Sequence, residues 1–150
     1  MKNAYLEFQE DEIIYGSIIA MLERRDIMLE AYSTNIALTE NSYVPLNNVS
    51  LEKGCTATKS SADTIELNKC GVYMVSVDAS VETASTLQLY KDGVAQPQAQ
   101  STGLNPSFVT LVQVKTNNSC CACDSPTTLQ IMNSIATQAT DVNVVITKVV

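Results

Sequence analysis

The stretch KCGVYMVSVDASVETASTLQLYKDGVAQPQAQ, residues 69–100, governs the reading of the chain. After Gly71, the residues Tyr73, Val75, Val77, Ala79 and Val81 alternate with Met74, Ser76, Asp78 and Ser80. A period of two puts the first set on one face of a β-strand and the second on the other, so the pattern is that of a half-buried strand. A shorter strand over residues 87–90 then runs into Asp92-Gly93. Both residue types tolerate the positive φ of a two-residue turn, which predicts a hairpin returning through residues 94–100.

Further strands follow on the C-terminal side. Phe108, Val109, Leu111, Val112 and Val114 make both faces of one strand apolar. Such a strand is expected to be covered on both sides, by the opposite sheet and by a neighbouring subunit. Residues 117–126 read as a polar loop carrying Cys120, Cys121 and Cys123, and residues 128–133 resume β character. The last run, residues 141–150, puts Val142, Val144, Ile146, Lys148 and Val150 on one face and is expected to dock inside a sheet.

On the N-terminal side, short strands are predicted at residues 36–38, 43–46 and 49–51. A second hairpin joins residues 55–59 to 64–67 around Ser60-Ser61-Ala62-Asp63. Pro45 marks an edge strand or a strand end. Eight to ten short strands separated by turn signals describe an all-β sandwich or jelly roll.

Residues 11–32 differ in character. Ile14, Ile18, Met21, Leu22 and Leu29 recur at a helical period, with Glu10, Asp11 and Glu12 at the end where a helix dipole favours anions. The division is therefore an N-terminal helical anchor or stalk, residues 1–32, before a β domain, residues 33–150. The helix stripe either packs on its own domain or serves self-association or anchoring to a partner. Arg24 and Arg25 interrupt any strict heptad.

Composition narrows function by exclusion. A net charge of −7 argues against nucleic acid or an anionic membrane surface as a partner, since both demand clustered Lys and Arg. Residues 13–22 are too short to span a bilayer and are broken by Gly16 and Ser17, so neither a signal peptide nor a membrane span is assigned. Histidine is absent, which removes Ser-His-Asp and Cys-His chemistry. The carboxylates fall on predicted turns and wet faces with no acid-base pair among them, and five glycines are too few for a phosphate loop. No catalytic residue and no cofactor is expected.

Five cysteines cannot all pair within one chain. Cys55 and Cys70 flank the second predicted hairpin and are placed for a disulfide across adjacent strands. Cys120, Cys121 and Cys123 are candidates for links between subunits or for free thiols. A metal site is not assigned, because the set lacks two well-separated ligand pairs.

Taken in order, YVPLNNVSLEKGCTAT, TIELNKCGVYMVSVDAS, LQLYKDGVAQPQAQ and VNVVITKVV resemble the C1q/TNF-like domain of bacterial collagen-like surface proteins and phage virion proteins. The resemblance covers about residues 36–150. It implies a ten-strand jelly roll assembled as a homotrimer, with binding at its outer face or apex. Spore-surface members of that family carry Gly-x-y repeats before the domain, and this chain has none. The resemblance therefore implies a non-enzymatic virion protein, made in the bacterial host cytoplasm and displayed on the virion surface. The specific expectation is a trimeric head fibre or capsid decoration protein, held to a capsid or other virion protein through residues 1–32, with a host-surface ligand as a further partner. The alternative is a bacterial cell- or spore-surface adhesin. Against a sugar-binding adhesin stands the aromatic count: no Trp, two Phe and six Tyr, where sugar sites usually offer aromatic platforms.

Overall fold

A computed structural model describes residues 27–54, 56–115 and 122–150, with side chains in the last stretch described from Pro126 onward. Among the described residues there are eleven strands and no helix. In chain order they are β1 (Met28–Leu38), β2 (Ser42–Tyr43), β3 (Asn48–Lys53), β4 (Ala57–Lys59) and β5 (Ile65–Lys69), then β6 (Gly71–Val81), β7 (Ser85–Lys91), β8 (Val94–Gly103), β9 (Ser107–Val114), β10 (Ala122–Asn133) and β11 (Thr137–Lys148). They form two antiparallel sheets. One is five-stranded in the order β3-β1-β11-β6-β9, and the other is six-stranded, β4-β5-β10-β7-β8 with β2 added beside β10.

The sandwich follows from the alternation. Tyr73, Val75, Val77, Ala79 and Val81 of β6 all point inward, as do Val142, Val144 and Ile146 of β11. They meet Ile65, Leu67, Leu87, Leu89, Leu129 and Ile131 from the facing sheet. Aligned packing of two such apolar faces is the ordinary way for antiparallel sheets to leave water. Tyr73, the largest side chain fully inside, satisfies its hydroxyl by donating to the Lys69 carbonyl at 2.7 Å.

The turns behave as their residues predict. Lys91 pairs with Val94 across Asp92 (φ 50°) and Gly93 (φ 78°), so the β7–β8 hairpin turns on two residues in the left-handed region. The β4–β5 hairpin closes with Ser60 N–H donating to Thr64 O at 3.0 Å. The run at residues 43–46 is strand only at its start. Beyond Tyr43, Val44 and Leu46 drop into the core while Pro45 ends the ladder.

One expectation needs correction. Residues 28–32, assigned to the helix by their period, are strand, and Leu29 is not on a helix stripe. It lies fully buried in β1 with Ala31 and Ser33, while Met28, Glu30 and Tyr32 face outward. What overrides the local period is pairing with a distant partner, Leu29 opposite Ile146 in β11. The β domain therefore begins before residue 33. Ile14, Ile18, Met21 and Leu22 lie outside the described residues, as does the rest of the predicted helix up to residue 26.

Candidate assembly face

Because β1, β6, β9 and β11 bury alternate residues, the remaining side chains share the outer face of the five-stranded sheet. The register sets them in rows. Leu111, Met74, Thr147 and Met28 form one row, from β9 to β1. Val109, Ser76, Val145, Glu30 and Leu51 form the next. A third runs Ser107, Asp78, Asn143, Tyr32 and Asn48.

The first two rows carry exposed apolar side chains, concentrated at their β9 end. Val109 and Leu111 each keep 62% of their surface exposed, with Met74 and Leu51 also exposed. Their neighbours Val112 and Val114 are buried, so β9 is indeed apolar on both faces, with only one of them covered by its own domain. Clustered apolar surface of this kind marks contact sites more often than idle surface.

Three carboxylates gather where these rows meet the next one: Glu30 of the second row, Asp78 of the third, and Asp141 opposite Ser80. Asp78 is held above the usual carboxylate range, first because burial disfavours its charge and then because Asp141 and Glu30 carry the same sign nearby. Glu30 is oriented by two donors, the Ser50 hydroxyl on Oε1 and Asn143 Nδ2 on Oε2 at 3.4 Å. Among the described residues, no group of three or more His, Cys, Asp or Glu side chains is arranged to hold a metal ion.

No family model matches the sequence, and no curated protein matches it. Solved structures do match. The PRD1 vertex protein P5 is 13% identical with a TM-score of 0.59, over 82% of this chain and 96% of that one. The globular domain of zebrafish complement 1qA is 11% identical with a TM-score of 0.61, over 79% and 94%. Murine APRIL is 7% identical with a TM-score of 0.60, over 81% and 99%. The fold is a C1q/TNF-like jelly roll.

Within this C1q/TNF-like domain the cysteines are only partly placed. Cys70 is disulfide-bonded. Cys55, Cys120 and Cys121 lie outside the described residues, and of Cys123 only the backbone is described, within β10. Among the described residues no helix is long and apolar enough to cross a membrane.

Among the described residues, Asn133 and Ser85 are adjacent buried polar side chains with three hydrogen bonds each. Ser85 Oγ donates to Asn133 Oδ1, and no histidine exists to activate that hydroxyl. It ties β7 to the end of β10. The exposed apolar rows were partly legible in the sequence, through the two-sided pattern of β9. The acidic cluster was not, because Asp78, Asp141 and Glu30 come from three strands far apart in the chain.

Proposed function

We propose that the chain is a structural virion protein, a homotrimeric head fibre or capsid decoration protein that buries the outer face of its five-stranded sheet between subunits. The observation that carries the reading is Val109 beside Leu111, side by side on β9 and each 62% exposed. Covering such side chains returns roughly 1–2 kcal/mol each, since part of every one is already shielded. Three subunits bury three copies of the face at once. The likeness in fold to the PRD1 vertex protein P5 supports a virion role, and the absence of histidine supports a protein without acid-base catalysis. In this reading, residues 1–26 hold the jelly roll to a capsid or other virion protein.

Light scattering on the purified chain, with and without reductant, tests the assembly. A mass three times that of the chain in both conditions is expected; a monomer sinks the reading. A variant lacking residues 1–26 is expected to remain a trimer while losing attachment to particles.

A further inference from the structure

Six tyrosines in a chain without tryptophan are a thin aromatic supply, but their placement matters more than their number. Tyr43 and Tyr90 meet on the outer surface of the six-stranded sheet, ring centroids 5.7 Å apart and planes at 76°. They come from opposite sides of β10. Tyr43 of β2 pairs with Met132, and Tyr90 of β7 pairs with Gln130, so the rings close over that strand. Gln88 sits opposite Met132 from the same side as Tyr90. An edge-to-face pair holds each ring in place, so a ring face can be offered at little entropic expense.

The amides around the pair are oriented as well. Gln130 Nε2 donates to Thr64 Oγ1 at 3.0 Å, and Gln88 Nε2 donates to the Gln96 carbonyl at 3.2 Å. Among the described residues, neither tyrosine hydroxyl and neither amide oxygen has a hydrogen-bond partner. Thr86 and Thr102, bonded to each other, carry the polar surface further along the same face, and Glu66 opposite Thr128 adds an acceptor. Two lysines of the same sheet are turned away from it. Lys59 donates to the Leu46 carbonyl, and Lys91 donates to the Gln113 carbonyl of the other sheet at 2.7 Å.

An aromatic face flanked by fixed amides matches one ligand chemistry well. A pyranose ring presents an apolar C–H face that stacks on an aromatic ring, and adjacent hydroxyls that bond side-chain amides in pairs. Among the described residues no lysine stands free on these rows, and with a net charge of −7 an anionic sugar is disfavoured. We propose that Tyr43 and Tyr90, with Gln130 and Gln88, form a binding site for a neutral glycan. The site lies on the sheet opposite the proposed subunit contact, so it stays open in monomer and trimer alike and does not depend on the assembly reading.

Affinity electrophoresis of the full chain in native gels tests it, with dextran, galactomannan and mixed-linkage β-glucan as neutral probes and alginate as the anionic one. At least one neutral polymer is expected to retard the chain. Tyr43→Ala, Tyr90→Ala and Gln130→Ala are each expected to weaken that retardation about tenfold or more, with unchanged mass by light scattering. Gln130→Ala, which removes a half-buried amide and its bond to Thr64 but no ring, serves should a tyrosine variant fail to fold. Retardation by alginate alone, by none of the polymers, or to the same extent in Gln130→Ala and every folded tyrosine variant overturns the proposal. Mass by light scattering reads the trimer separately, so either idea can fail without the other.

Discussion

Ser85 Oγ donates a 2.6 Å hydrogen bond to Asn133 Oδ1, and Asn133 Nδ2 in turn donates to the carbonyls of Thr39 and Ile135, at 2.9 and 2.7 Å. One buried amide thereby joins β7, the end of β10 and the segment leaving β1. Asn133→Ala removes the acceptor of the buried Ser85 hydroxyl and the donor to the carbonyls of two exposed residues, Thr39 and Ile135, which water can reach. The expected fall in unfolding free energy is about 2 kcal/mol by urea titration, most of it from the Ser85 side of the network. A loss below about 1 kcal/mol shows that water or a rotated Ser85 replaces the amide.

Two glycines separate strain from collision. At Gly93 (φ 78°) an added Cβ meets nothing within 4 Å, so Gly93→Ala suffers only the left-handed backbone, about 1 kcal/mol. At Gly71 (φ 147°) the same atom lies 2.5 Å from the Val150 carbonyl oxygen. Gly71→Ala is expected to lose clearly more stability than Gly93→Ala in thermal melts. Equal losses would mean that residue 150 moves freely out of the way.

The subunit contact makes a prediction about charge. Leu111→Arg places a cation on the exposed apolar row without touching the core, since Leu111 faces away from Val112 and Val114. The variant is expected to run as a monomer in light scattering, with its β-sheet circular dichroism intact. A trimer that persists with Arg at this position puts the contact elsewhere.

Asp78 sets the sign of a pH effect. Its folded pKa lies above the unfolded 3.8, so between the two the native state holds more protons than the unfolded one. Ionised Asp78 therefore lowers stability near neutrality. That penalty fades as pH falls through the folded value and is gone below the unfolded one. Asp78→Asn should stabilise the chain at pH 7 by about 0.5 kcal/mol or less, a small effect because the carboxylate is only partly withdrawn from water and stays screened. Urea midpoints at pH 7 and pH 3.5 check it: the gain should vanish at the lower value, and a loss at pH 7 reverses the argument.

Cys70 is bonded, and we propose Cys55 as its partner. Asn68 N–H donates to Thr56 O at 2.8 Å, extending the β4–β5 ladder beyond the Ala57–Leu67 pair and toward both positions. Non-reducing peptide mapping should recover a Cys55–Cys70 linkage, and Cys70→Ser should cost about 3 kcal/mol for a loop of that size. Recovery of Cys70 linked to Cys120, Cys121 or Cys123 overturns the pairing.

Strands with a strict period of two and one buried face were readable from the residues alone. Tyr73 to Val81 and Val142 to Ile146 are the cases, because any slip by one residue would turn the apolar set to water. Leu29 was not readable. Its spacing from Leu22 fits a helix, and the influence that wins is a strand more than a hundred residues away. The same limit hid the tyrosine pair, since nothing local in Tyr43 or Tyr90 says that two rings will close over β10. Cross-strand neighbours are set by topology, and a single sequence shows each half without its partner.

The position of β11 has a consequence for how the chain is made. The last described strand lies between β1 and β6, and contacts such as Asn143 with Glu30 span 113 residues. Loop closure over such lengths is slow, so folding is expected on the millisecond-to-second scale typical of all-β domains. During synthesis β1 and β6 wait with open edges that can pair with other chains. The ribosome has to release residues 137–148 before the five-stranded sheet can close, and a product truncated ahead of them is expected to aggregate.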